Sequence, residues 1–204
     1  MNTSDFYKLV MESFIRTRVY VQIPTAKPVT VNLIRRSEDV KAIDYVGDDV
    51  PCYDLVVKGA PADKLSAVKV DSFTAYVCNY RTGKTINQVL GKSADFMFTM
   101  TMDGCSFGIG IPGKDGTVMV SHSNAKGHGS DEENHLAQQK QLIEVFDKNP
   151  FTQMLEPSNY RKGGDGTSIT TFGMRENGEW KFYFQKWKKL SSRKFQTSGV
   201  EPID

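Results

Sequence analysis

A chain of 204 residues with 39% apolar side chains, 17 Gly and 8 Pro can bury a core of its own, and it carries no collagenous, coiled-coil or disordered bias. Its 26 basic side chains face 24 acidic ones, and a net charge of +2 supplies no general field for nucleic acid or a membrane surface. The 3 cysteines, Cys52, Cys78 and Cys105, lack CxxC spacing, which argues against a disulfide framework or structural zinc and for a reducing compartment.

The segment from Met1 to Arg18 mixes charges into its apolar residues, so neither a secretory signal nor a membrane span is expected. Within it, Ser4 to Thr17 set Phe6, Leu9, Val10, Ser13 and Phe14 on one helical stripe, with Ser4 or Thr3 as the cap. Strand signals follow at Arg18 to Ile23, Val29 to Ile34, Ile43 to Val46 and Asp54 to Val57, and Gly59 to Ser66 is a turn-rich link. The strands then lengthen, at Val70 to Asn79 and Thr85 to Leu90. Three more are expected inside Asp95 to Asn124, the last two joined by Pro112-Gly113-Lys114-Asp115-Gly116. Asp131 to Lys148 is the clearest helix, capped by Ser130 or Asp131 and stopped by Asn149-Pro150. Its buried stripe is expected to be Leu136, Gln139, Leu142, Ile143 and Phe146. Thr167 to Arg175 and Glu179 to Lys188 form a hairpin through Glu176-Asn177-Gly178, and residues 193–204 read as a frayed tail. The sum is a single α+β domain over 1–204, an α/β sandwich of mixed or mostly antiparallel sheet with flanking helices.

Chemistry concentrates at Asp95 to Asn124. Folding Phe107 to Ile111 onto Thr117 to Ser121 about Gly113 and Lys114 places Cys105 opposite residue 122 or 123, which makes a thiol and the His122 imidazole neighbours. An imidazole beside a thiol lowers the thiol's pKa and relays its proton. Register is the sensitive point, because pairing 105 with 123 turns His122 to the opposite face unless a bulge at the Gly104 corner re-aims it. Asp103-Gly104 before Cys105 forms a corner whose N–H groups, at Gly104, Cys105 and Ser106, could meet an oxyanion.

Other motifs are weaker. Arg81-Thr82-Gly83-Lys84-Thr85 mimics a phosphate loop but has Cys78 where the leading glycine belongs, so a plain turn is expected. His128 and His135 lie near Asp131, Glu132 and Glu133 without ligand spacing and are expected to be solvated, with no metal and no cofactor. Trp180, Phe182 and Phe184 alternate with Lys181, Tyr183 and Gln185, one face core and the other wet, and the balanced charge disfavours nucleic acid. The loop Arg161-Lys-Gly-Gly-Asp-Gly is a candidate border for a substrate protein.

Thr99, Cys105 and His122, with Gly104 directly before the cysteine, resemble the catalytic set of the cysteine glutamine deamidases. That superfamily includes chemotaxis receptor deamidases, catalytic domains of cytotoxic necrotizing factors and the Burkholderia lethal factor. The resemblance implies Cys105 as nucleophile, His122 as base and Thr99 as the group orienting the imidazole, with Asp103 and Asn124 as alternatives for that third role. It implies a monomer acting on a specific Gln of a folded protein, such as a small GTPase or translation factor. A bacterial toxin or effector would reach the host cytosol from the bacterial cytoplasm without a signal peptide. Met102-Asp103 departs from the Leu-Ser typical of the toxins, leaving a housekeeping receptor deamidase as one alternative and a non-enzymatic binding module using the aromatic C-terminal face as another.

Overall fold

The structure is a computed structural model that describes residues 1–18, 27–36, 40–60, 68–125, 127, 129–146, 151–161 and 165–204. Most of the expected strand Arg18 to Ile23, most of the link Gly59 to Ser66, His128, the stop Asn149-Pro150 and residues 162–164 lie outside them.

Helix α1 (Thr3–Met11) is capped by Asn2, whose side-chain oxygen accepts from the Asp5 N–H at 2.8 Å. It is shorter than its apolar stripe. Phe14 leaves the helix to open β1 (Phe14–Arg18), since its N–H donates to the Pro51 carbonyl at 2.9 Å and its ring stacks on Phe195 at 5.0 Å. Tertiary pairing therefore overrides a helical period that continued past the real end.

The early strands are β2 (Val29–Arg35), β3 (Lys41–Ile43), β4 (Asp49–Val50), β5 (Cys52–Val57) and β6 (Val68–Cys78). Next come β7 (Lys84–Leu90), β8 (Phe96–Thr99), β9 (Ser106–Gly110) and β10 (Val118–Asn124). After α2 (Asp131–Phe146) follow β11 (Phe151–Leu155), α3 (Pro157–Tyr160), β12 (Thr167–Glu176), β13 (Glu179–Lys189) and β14 (Lys194–Pro202). The strands make a 10-stranded sheet in the order β1-β5-β2-β6-β8-β12-β13-β14-β3-β4 and a 4-stranded sheet in the order β11-β9-β10-β7. The large sheet mixes directions, with β1 and β5, β6 and β8, and β14 and β3 parallel, while every ladder of the small sheet is antiparallel, as an α+β sandwich of mixed or mostly antiparallel sheet requires.

Strand alternation sorts the core into layers. Ala75, Val77, Phe96, Phe98, Phe172 and Met174 face α1, where Phe6 meets Phe73, Phe96, Phe98 and Phe172 edge-on. Tyr76, Cys78, Met97, Ile169, Phe182 and Phe184 face the opposite way and pack on Phe107, Ile109, Val118 and Val120 of the small sheet. The small sheet's outer face carries α2: a Cβ on Gly108 would stand 2.8 Å from the Phe146 ring. The order of layers is α1, large sheet, small sheet, α2.

Several expectations change. Residues 194–202 are not a frayed tail, because β14 pairs antiparallel with β13 and parallel with β3. The strand β11 and the short α3 were not expected. β11 pairs with β9 across a register shift, and α3 opens on Pro157 with reciprocal bonds between Glu156 and Asn159. On α2, Ser130 and Glu133 form the cap, but the buried stripe is Gln138, Leu142 and Phe146, while Leu136 and Ile143 are 59% and 55% exposed. The helix lies on a sheet face holding Gly108, Ser106 and Ser123, so glutamines reach what leucines could not satisfy. The second face of β13 is wet at one end only: Lys181 is exposed and Tyr183 half-buried, whereas Gln185 is buried under α1 and donates to the Val10 and Ser13 carbonyls. No helix among the described residues is long and apolar enough to cross a membrane.

Candidate active site

The corner Asp103-Gly104-Cys105 is clamped from two helices. Gly104 has φ +115°, the left-handed region that a side chain strains to enter. Its N–H donates to the Tyr160 hydroxyl oxygen at 2.9 Å, and that hydroxyl donates in turn to the Cys105 carbonyl at 2.8 Å. From α2, the Gln138 amide donates to the Gly104 carbonyl at 2.9 Å and accepts from the Ser106 hydroxyl at 2.6 Å. Arg161 Nη1 donates to the Asp103 carbonyl at 3.2 Å. The Gly104 N–H is thus spent on Tyr160, which removes it from the oxyanion donors expected at this corner.

The register settles which face each residue shares. Val120 pairs with Ile109, His122 with Phe107 and Ser123 with Ser106, so the turn centres on Lys114-Asp115, one residue later than expected. One further step sets Cys105 opposite Asn124, not 122 or 123. Cys105 and His122 are then diagonal neighbours on one face, with Phe107, Ile109, Val118 and Val120, looking into the layer between the sheets. Cys105 is 2% exposed and lines a cavity of about 240 Å³ with Tyr80, Thr82, Met100, Thr101, Asp103 and Asn124.

His122 is 0% exposed, and neither ring nitrogen has a hydrogen-bond partner among the described residues. The thiol and imidazole therefore share a layer without being hydrogen-bonded. The Tyr80 ring lies 5.9 Å from the imidazole at 35°. Burial pulls the His122 pKa down to about 4, against a small opposing pull from the Cys78 carbonyl, so the imidazole is neutral at neutral pH. The Cys78 thiol, also buried, is pushed up to about 12 and donates to the Ile86 carbonyl at 3.6 Å. Cys78 is a packed, protonated thiol.

Thr99 is fully buried and pairs with Cys78 in the β6–β8 ladder, so both face the same inter-sheet layer. Its hydroxyl donates to the Met100 carbonyl at 2.8 Å and does not hold the imidazole. Asp103 is exposed, and Asn124 is buried on the cavity wall. Tyr160, Gln138 and Tyr80 carried no sequence signal as site residues, and Arg161 was expected only as the start of a loop bordering a substrate. Tyr160 belongs to the unexpected α3, and Gln138 looks like any polar helix residue until α2 is laid on β9.

The remaining motifs resolve plainly. Arg81 to Lys84 is a tight turn, with the Lys84 N–H donating to the Arg81 carbonyl at 3.0 Å, and it carries the chain from the large sheet to the small one. Among the described residues no cluster of three His, Cys, Asp or Glu could hold a metal; His135 is half-buried. Phe182, Phe184 and Trp187 are buried in the core, while Trp180 and Tyr183 are half-buried and line a shallow cavity with Lys181 and Gln153.

No family model and no curated protein matches the chain. Among solved structures it is similar to the crystal structure of the C-terminal domain of CNFy from Yersinia pseudotuberculosis. That likeness covers 100% of both chains with a TM-score of 0.38 and 10% identity. At that level it carries no argument about fold or activity.

Proposed function

We propose that the protein is a cysteine-dependent glutamine deamidase acting on a folded protein. The observation that carries this reading is the placement of Cys105, directly before β9, and of His122, in the adjacent β10, toward one layer, with Cys105 on the wall of the 240 Å³ cavity. The spacing of Thr99, Cys105 and His122 agrees with the deamidase set it resembles.

In the proposed cycle His122 takes the Cys105 thiol proton as Sγ bonds to the glutamine carboxamide carbon. The tetrahedral adduct collapses with that proton on the leaving nitrogen, releasing ammonia and leaving a thioester. Water, deprotonated by His122, attacks the thioester; Sγ leaves and regains the proton, and glutamate is the product. Asn124, opposite Cys105 in register, is the proposed side-chain donor to the oxyanion, in place of the Gly104 N–H. Thr99 supports the wall behind the site. The substrate class, a host regulatory protein met in the host cytosol by a secreted bacterial effector, follows the resemblance alone.

The test is incubation of the protein and of Cys105→Ser with cell lysate, reading glutamine-to-glutamate conversion by peptide mass and ammonia by coupled assay. Conversion with wild type alone supports the reading; identical spectra from both proteins sink it.

A further inference from the structure

The thiol and the imidazole of the proposed pair open onto different spaces. Cys105 is on the wall of the 240 Å³ cavity, together with Tyr80, Met100 and Asn124, whereas His122 is not among the described residues that line it. The imidazole is 0% exposed, and no hydrogen bond joins it to Cys105. Taking the thiol proton, or activating a water in the cavity, requires the base within hydrogen-bond reach, directly or through one water. Something has to move before His122 can do either.

Tyr80 is the side chain that belongs to both spaces. It lines the cavity beside Cys105, and its ring lies 5.9 Å from the imidazole at an angle of 35°. It comes two residues after Cys78, which ends β6 inside the inter-sheet layer, and directly before the tight turn Arg81 to Lys84. Its hold on this position is light. The Tyr80 hydroxyl makes no hydrogen bond among the described residues, the residue is half-buried, and Arg81, Thr82, Gly83 and Lys84 after it are exposed. A ring held by contact alone at the edge of a core turns by side-chain rotation, without breaking a strand ladder.

We infer that the Tyr80 ring is a cover that keeps His122 out of the Cys105 cavity. Its swing toward the exposed turn is the step that lets the imidazole meet the thiol and the substrate carboxamide. Tyr80 is thus a positioning residue, acting through His122 and by the bulk of its ring. The inference deepens the deamidase reading and rests on His122 being its base.

Carbethoxylation of His122 by diethyl pyrocarbonate in the full chain tests it, read by peptide mass with the half-buried His135 of α2 as the reference inside the same molecule. A covered state opens to only about 0.1–10% of the population, so Tyr80→Ala should speed His122 labelling at least about tenfold relative to His135. Tyr80→Leu, which keeps an apolar side chain and decides the matter if the alanine variant does not fold, should speed it as well. Tyr80→Phe keeps the ring and should label as wild type does. Cys78, buried in the same layer, should stay closed to iodoacetamide throughout. Unchanged His122 labelling in Tyr80→Leu, an equal rise in Tyr80→Phe, or Cys78 alkylated alongside, as general loosening would give, overturns the cover. None of these readouts uses deamidation. Faster His122 labelling in a chain that leaves lysate glutamines unconverted upholds the cover and sinks the deamidase reading, whereas unchanged labelling in an active enzyme sinks the cover alone.

Discussion

Tyr160 brackets the peptide unit before Cys105: its hydroxyl oxygen takes the Gly104 N–H at 2.9 Å while its proton goes to the Cys105 carbonyl at 2.8 Å. One phenol therefore fixes both sides of the corner that aims the sulfur. Burial and the nearby Cys105 raise its pKa, so it stays protonated and able to donate across the working range.

Tyr160→Phe deletes both bonds and keeps the ring. It leaves a buried N–H and a buried carbonyl unmet, a loss of about 1–3 kcal/mol in urea unfolding. The corner also loosens, so the proposed deamidation should fall about tenfold to a hundredfold in kcat with KM little changed and the pH profile unmoved. A purely structural tyrosine would lower stability and leave kcat per folded molecule intact.

His122 makes a prediction about pH. Its folded pKa of about 4 lies below the unfolded value of 6.5, so between these values the unfolded chain binds the extra proton. Stability is fully present above about pH 6.5 and is lost as pH falls toward 4, by on the order of 3 kcal/mol from this residue alone. Thermal unfolding of wild type and His122→Gln from pH 4 to 8 checks it. The variant's dependence should be flatter over that window, and parallel curves would show that the imidazole is not buried neutral.

Much of this arrangement could be read from the chain. Strands between Val68 and Asn124 carry sharp alternation broken by Gly and Pro, so their existence and the Cys105–His122 proximity were legible. The shared face was not. It depends on the turn centring on Lys114-Asp115, which the Gly113 and Gly116 N–H bonds to the Thr117 and Gly113 carbonyls fix and which turn composition leaves open. The strand β14 looked frayed because Lys194 to Pro202 is polar and holds Gly199; its order comes from neighbours on both sides. The helix α3 and its Tyr160 are four residues held by caps, too short for periodicity to register.

Thr99 offers a cleaner discrimination. Thr99→Val keeps the branched shape and removes the O–H that now donates to the Met100 carbonyl. A hydroxyl that does not touch the imidazole should cost about 1 kcal/mol of stability and less than about threefold in kcat. A large kcat loss with an altered pH profile would instead mean that Thr99 turns to His122 during turnover.

The last prediction concerns how α2 reaches the site. A Cβ on Gly108 would sit 2.8 Å from Phe146 Cε2 and 3.3 Å from Leu142 Cδ2, both on the buried stripe of α2. Gly108→Ala must therefore displace the Phe146 ring, and where the ring has no room to turn it lifts the helix; strain of this kind costs about 1–3 kcal/mol. The same helix carries Gln138, which holds the Gly104 carbonyl and the Ser106 hydroxyl, so the lift should also slacken the Cys105 corner. Gly108→Ala should lower the urea midpoint at constant slope and reduce kcat, and Phe146→Leu in the same chain should restore part of both by making room. If stability recovers and kcat does not, Gln138 and the corner are not coupled through the seating of α2.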